Sequence, residues 1–393
     1  MSRSAARTVP AIALACAAML GAGCGATEPD GTSVVSDVLE RSVGELRESL
    51  GRPWGLPIPG LAAAATVGPD GRPGVAASGS SDPPGSRPLD VRDRFHIGSI
   101  TKTFTAALIL QLDQERRLSL DDPISTWFDF PGGDRITVRM LLGHTSGIAD
   151  FTDDPGYRAK QEPADLISIA ARLPPVFAPG ESWAYSNTNY TMLGVVSEQV
   201  TGRSWGEEVE ARFLTPLGLT DTYIWRGRAW PRTVDGSRVA CGAAGEPDCD
   251  PPRKDLPLVP IPDGPDWTIA WSAGGLVSTP MDVSRWMRAL VVGNVLDPRH
   301  RALMTTATPQ SIAALRSLPA FGNLRWTGAG LGLFRYDVEG WGIGWGHEGL
   351  IDGFTANAAH MIEADTTVAV ASNFQMTDSF TALGELVAAL SAG

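Results

Sequence analysis

FHIGSITKTFTA, residues 95–106, is the stretch whose reading decides the fold. The apolar residues from Phe104 to Leu112 recur at helical spacing, which predicts a helix opening close to Ser99. On such a helix residues i and i+3 share a face, so Ser99 Oγ and Lys102 Nζ can meet. A serine hydroxyl is a poor nucleophile until a base stands within hydrogen-bond reach. A lysine serves as that base once burial and its neighbours depress its pKa. The free N–H groups at the head of a helix stabilise an oxyanion formed beside them. The chain has 28 serines but only three lysines, Lys102, Lys160 and Lys254, so a chance Ser-x-x-Lys is uncommon, though taken alone the pair could be one.

Moving outward, the next chemistry-bearing stretch is FAPGESWAYSNTNYTMLG, residues 177–194. Tyr185 could pass a proton between Ser99 and a leaving group, while Asn187 could hold a substrate amide and orient Lys102. The plainer reading is a surface loop whose Ser and Asn residues cap a helix beginning near Asn189. A third stretch, WGIGWGHEGLIDGF at residues 341–354, carries His347-Glu348-Gly349. A lone histidine is more often a satisfied core or turn residue than a catalyst. Here, however, it lies in a Gly-rich segment between β-like runs, where backbone can approach a ligand closely.

The outer segments supply the frame. Val35 to Leu50 reads as an amphipathic helix with Val35, Leu39, Val43 and Leu46 on one face. Gly60 to Val67 and Gly74 to Ala77 flank a Gly-Pro-Asp-Gly turn and read as a hairpin. Helical patterns cover Ala164 to Leu173, Met192 to Val200, Met281 to Val292 and Asp378 to Leu390, and β-like runs cover Gly330 to Tyr336, Phe354 to Met361 and Thr367 to Ser372. Strands at both ends with helices between them imply an α/β (α+β) fold: an antiparallel sheet built from both chain ends, flanked by helices, with an inserted, mainly helical lobe. The expected division is an α/β lobe of residues 35–98 and 268–393 and a helical lobe of residues 99–267, with the site in the cleft between them.

Ser-x-x-Lys, Tyr-x-Asn and a basic-x-Gly element in this order resemble the penicillin-recognising serine hydrolases. The resemblance is to the branch holding class C β-lactamases, serine D-alanyl-D-alanine carboxypeptidases and related esterases. RPLDVRDRFHIGSITKTFTA, ITVRMLLGHTSGIADF, FAPGESWAYSNTNYTMLGVVSEQVTG, WSAGGLVSTPMDVSRW and the stretch from Gly330 to Asn373 all look like family segments in family order. The resemblance implies a β-lactamase/transpeptidase-like fold in which Ser99 is acylated, Lys102 activates it and Tyr185 is the general acid/base. It implies that Asn187 binds the substrate amide and that His347 occupies a position where many members carry lysine. Gly349 and Leu350 would line the substrate, with the N–H groups of Ser99 and Leu350 forming the oxyanion hole. Whether Lys102 or Tyr185 first takes the serine proton stays open. Glu348 and Leu350 stand where many members have small or hydroxyl residues that bind a substrate carboxylate, and a carboxylate there repels an anionic terminus unless it points away. A D-alanyl-D-alanine carboxypeptidase-like peptidase is the first expectation, then a carboxylesterase, then a β-lactamase; the rival class is a silent penicillin-binding sensor.

Composition bounds the rest. The net charge of −12 and the absence of a Lys/Arg stripe argue against nucleic acid as a partner, and the resemblance implies a small peptide, ester or β-lactam-like substrate. No Gly-x-Ser-x-Gly occurs, which argues against an α/β-hydrolase; Gly143 to Gly147, with its serine off-centre, reads as a structural turn. His96, His300 and His360 form no spaced metal set, and the chemistry asks for neither metal nor cofactor. Arg3 and Arg7 followed by the apolar run from Val9 to Leu20 read as a signal peptide over residues 1–23, too short for a permanent span. Cys24 resembles a lipidated lipoprotein cysteine, with 24–34 a tether and 35–393 the hydrolase domain. The expectation is an exported protein, membrane-anchored through Cys24 or secreted. Cys241 and Cys249 bracket a Gly/Pro/Asp-containing loop that an oxidising compartment would let close as a structural disulfide.

Overall fold

A computed structural model describes residues 31–54, 57–82, 85–159, 162–239, 258–261 and 267–391. Residues 1–23, expected to be a signal peptide, Cys24 and the pair Cys241 and Cys249 lie outside the described residues.

The first hairpin follows from its turn. Gly68 and Gly71 have φ of 72° and 61°, a region that only glycine enters freely, and they reverse the chain between β1 (Gly60–Val67) and β2 (Arg72–Gly79). The end of the chain supplies β3 (Leu324–Ala329), β4 (Phe334–Val338), β5 (Gly342–Ile351), β6 (Phe354–Met361) and β7 (Thr366–Ser372). These seven form one antiparallel sheet in the order β2-β1-β7-β6-β5-β4-β3. β1 pairs with β7, Leu61 opposite Ser372, so the sheet joins both chain ends as the sequence implies.

Five helices bear on the site: α1 (Gly31–Gly51), α2 (Thr101–Gln114), α3 (Asn187–Thr201), α4 (Pro280–Val291) and α5 (Ser379–Ser391). α1 and α5 cover one face of the sheet, with Val35, Leu39, Val43 and Leu46 buried against it as their spacing predicts. α4 covers the other face, and α2 lies in the same core. β1 is thus covered on both sides, and its run of alanines lets the helices come close. Phe104 of α2 stacks on Trp286 of α4 at 3.8 Å between ring centres, an arrangement contributing about 0.5–1.5 kcal/mol beyond its buried area.

The structure corrects the sequence reading in four places. Residues 342–351, expected as a Gly-rich connector, form the ten-residue strand β5, which carries His347. Its glycines are there because neighbours leave no room: a Cβ at Gly346 would lie 2.1 Å from Ala358 O. β3 was not anticipated at all. α3 begins at Asn187, not near Asn189. Finally, the stretch expected to be mainly helical contains a short strand, Tyr223–Ile224. It pairs with Leu276–Ser278, which pairs in turn with Phe95–His96 just before the Ser99 turn.

Candidate active site

Ser99 sits in a 3-10 turn, Gly98–Ile100, that runs directly into α2. Gly98 has φ of 49°, and a Cβ there would lie 2.9 Å from Leu350 N, so the turn lies against β5. Gly349 makes the same contact from the other side, since its Cβ would meet Ile97 O at 1.9 Å. Both glycines serve a close backbone approach that brings the serine to the strand edge.

One turn into α2, Lys102 is fully buried because this helix runs through the core. Its Nζ lies 3.0 Å from Ser99 Oγ, 2.7 Å from Asn187 Oδ1 and 2.7 Å from Ala273 O. Burial pushes the Lys102 amine down to about 7, against the opposing pull of the Asp150 and Glu348 carboxylates. Asn187, the first residue of α3, is itself held. Asp150 accepts from both its backbone N and its Nδ2 at 2.8 Å, and because a carboxylate only accepts, Oδ1 is left facing Lys102.

Tyr185 precedes α3 and leans on the ring of His144, 4.6 Å away. His144, at φ of 56°, accepts from Ser186 N at 3.2 Å through Nδ1, so the Gly143–Gly147 turn holds the segment that carries Tyr185. The Tyr185 hydroxyl is buried without a hydrogen bond of good geometry. Burial first, and the Glu348 charge second, raise it well above the ordinary phenol range, and nearby Ser99 offsets this only in part.

On β5, His347 is buried and its Nδ1 donates to Glu348 O at 2.6 Å, which leaves Nε2 unprotonated. Burial and then the Lys102 charge bring His347 down to about 3, so the imidazole is neutral at pH 7. Glu348 does not point away from the site. Its Oε2 lies 3.9 Å from His347 Nδ1 and is buried with no hydrogen-bond partner, although the side chain as a whole keeps 21% of its surface open. Burial raises its carboxyl to about 7, with its own backbone N–H and Lys102 pulling the other way.

Ser99, Asn187 and the exposed Leu350 open onto a cavity of about 250 Å³, walled by Phe151, Tyr157 and Trp267. Arg158 and Asp352 form an ion pair of 2.8 Å at its rim. Of the seven residues expected at the site, Ser99, Asn187 and Leu350 line this cavity, and Lys102, Tyr185, His347 and Gly349 are packed behind them in one connected cluster. Asp150, His144 and the Ala273 carbonyl were not anticipated there. Asp150 lies in a stretch already singled out, but nothing in its spacing points to Asn187, 37 residues on.

The family model described as Beta-lactamase matches residues 55–392. The chain belongs to the beta-lactamase family. Within this family it is 32% identical to Penicillin-binding protein 4 of Amycolatopsis lactamdurans over 272 residues, 66% of each protein. The match spans 66% of that relative's length and 34% of the length of Penicillin-binding protein 4* of Bacillus subtilis (strain 168), to which the chain is 31% identical over 159 residues. Among solved structures it is similar to a D-stereospecific amidohydrolase from Streptomyces sp., at 30% identity and TM-score 0.72, covering 88% of this chain and 97% of that one. It is also similar to the D-amino acid amidase of Ochrobactrum anthropi SV3 complexed with D-phenylalanine, at 25% identity and TM-score 0.75, covering 91% and 98%.

Proposed function

We propose that this chain is a serine hydrolase that forms an acyl-enzyme on Ser99 and cleaves small amides or peptides whose acyl residue has the D configuration. The observation that carries this reading is the set of three contacts at Lys102 Nζ. An uncharged amine has two N–H bonds and one lone pair. With the N–H bonds taken by Asn187 Oδ1 and Ala273 O, the lone pair faces Ser99 Oγ. An amine depressed to about 7 is available in that form at neutral pH. Tyr185, raised well above 10, keeps its proton and suits the role of donor. On this reading Lys102 is the first proton acceptor and Tyr185 the leaving-group acid, an assignment supported by the three contacts at Lys102 and the opposite shifts of the two groups.

In the acylation step Lys102 takes the Oγ proton as the Oγ–C bond forms, and the N–H groups of Ser99 and Leu350 receive the oxyanion. The C–N bond breaks as Tyr185 protonates the departing nitrogen, and Tyr185 regains a proton from the Lys102 ammonium. Water then attacks the ester as Lys102 takes its proton, the Oγ–C bond breaks, Ser99 Oγ regains a proton from the Lys102 ammonium, and the acyl group leaves as a carboxylic acid. The balance is amide plus water giving acid plus amine. General base help of this kind contributes about 10²- to 10⁴-fold. The D configuration rests on the names of the two similar amidohydrolases. D-alanyl-D-alanine carboxypeptidase-like action belongs to this class, and ester hydrolysis follows the same steps.

The test is to offer wild type and Ser99→Ala a fluorophosphonate probe, D- and L-phenylalanine amide, a D-Ala-D-Ala peptide, a p-nitrophenyl ester and a chromogenic cephalosporin. Labelling confined to wild type, with kcat/KM higher for the D than the L amide, is expected. Labelling with no turnover of any of them would mark a binding protein instead, and an L preference would remove the stereochemical part.

A further inference from the structure

We propose that the cavity at Ser99 is an acyl-side pocket for a bulky, uncharged side chain, so that the preferred substrate is the amide of a D-amino acid bearing an aromatic or other large apolar group rather than of D-alanine. The inference deepens the reading above and rests on it, because that reading fixes which part of the substrate lies where. Tyr185, which protonates the departing nitrogen, is not among the residues that line the cavity, whereas Ser99, Asn187 and Leu350 are. The leaving group therefore departs on the Tyr185 side, and the cavity receives the acyl residue.

The residues that line it are of two sizes. Phe151 and Tyr157 pack together with ring centres 5.8 Å apart. Trp267 is held by three further rings, His96 at 4.1 Å, Trp225 at 5.4 Å and Phe354 at 5.7 Å. Its Nε1 is buried, so Trp267 turns carbon and not a donor to the cavity. Ile269 and Ile351 add apolar surface, and Leu350 leaves 56% of its own surface open for a substrate to cover. Gly98, Ala270, Ala273 and Gly274 also line the cavity, and their small or absent side chains leave its space unfilled. Polar groups at its edge are engaged elsewhere: Arg158 and Asp352 neutralise each other at 2.8 Å, and Gln375 Oε1 accepts from Gly353 N at 3.1 Å. An apolar cavity of about 150 Å³ already admits benzene. One of about 250 Å³ has room for a phenyl or cyclohexyl group, and a methyl group leaves most of its wall uncovered.

Four primary amides with one leaving group, ammonia, separate the possibilities: those of D-alanine, D-phenylalanine, D-cyclohexylalanine and D-glutamine, the last long but polar. In wild type both ring-bearing amides are expected to exceed the D-alanine amide in kcat/KM by about tenfold or more, the effect of burying a phenylalanine-sized side chain. The D-glutamine amide should stay close to the D-alanine amide. In Tyr157→Ala the D-phenylalanine-to-D-alanine ratio should fall several-fold; each ratio is taken within one protein, and fluorophosphonate labelling of Ser99 verifies that the variant is folded. If that variant does not label, Ile269→Ala reads the same ratio, and a drop is again expected. A wild-type ratio at or below one, a D-glutamine amide as fast as the ring-bearing ones, or a ratio untouched in the labelling variants overturns the proposal. Turnover of L amides in place of D removes only the stereochemical part of the earlier reading, and the same ratios are then taken in the L series. If no amide is turned over while Ser99 still labels, the hydrolase reading fails separately. The pocket is then read by whether D-phenylalaninol slows labelling more than D-alaninol does, and equal protection overturns it.

Discussion

Lys102 carries an energetic burden that follows from its task. In the unfolded chain its amine has a pKa of 10.5, and burial in the folded protein lowers it to about 7. Between those values the unfolded state binds the extra proton, so stability rises as pH climbs from 7 toward 10.5. The linked penalty at neutral pH is on the order of several kcal/mol. Lys102→Met should therefore abolish acylation of Ser99, with kcat/KM down about 10²- to 10⁴-fold, and yet raise the urea midpoint at pH 7, with the gain shrinking by pH 9. A variant that loses activity and also loses stability at pH 7 would contradict the idea that the amine is held uncharged at a cost. For the active enzyme, the same group makes the acylation rate fall as pH drops below about 7, where the ammonium form takes over. Ser99 and Lys102 were legible because their partnership is local, three residues apart on one helix. Asp150 was not, because its link to Asn187 exists only after α3 has docked beside it.

At the scale of the element, β5 is where local preference and final structure disagree. Glycines weaken an isolated strand, and the four at positions 342, 344, 346 and 349 hid this one. Tertiary packing reverses the meaning, because the same residues allow β6 and the Ser99 turn to come within reach. Gly349→Ala should push β5 away from Ile97 and cut kcat/KM by about a hundredfold, the scale expected of an ångström-size misplacement, with covalent labelling of Ser99 slowed in parallel. Gly44→Ala is the control. Its Cβ would meet nothing within 4 Å on α1, so it should stabilise the protein by about 0.5–1 kcal/mol and leave turnover unchanged. Equal kinetics for the two variants would show that the contact at Gly349 is not needed for the chemistry. The amphipathic α1 and the β1–β2 hairpin, by contrast, were readable directly, because their periodicity and turn glycines act within a few residues.

For the whole molecule, burial of neutral imidazoles dominates the acid response. His96 lies among Trp225, Trp267 and Phe354 with neither ring nitrogen bonded, and burial lowers it to about 3. His347 is also near 3, His360 near 4, and His144 well below 6.5, in each case with burial as the main cause. Below 6.5 the unfolded chain takes up these protons first, so stability present above 6.5 is lost as pH falls toward 4, by about 1.4 kcal/mol per pH unit for each such group. Glu348, raised to about 7, works in the opposite direction. The urea midpoint should fall between pH 7 and pH 5, and His96→Phe should fall less steeply; a midpoint flat across that range in wild type would show that these rings already hold protons when folded. The overall architecture was legible because hydrophobic runs at both ends leave few alternatives, and the middle was less so because its short strands exist only as pairs.

The pairing of β1 with β7 also imposes a timetable. Leu61 meets Ser372, so the first hairpin emerges early and keeps a bare edge until nearly the whole polypeptide has been made. Because loop closure across such a separation is slow, the nascent chain spends its synthesis with β1 paired on one side only. Completion is a late event, and a ribosome stalled before residue 366 would hold a chain in which β1 still lacks the strand that joins the first hairpin to the rest of the sheet.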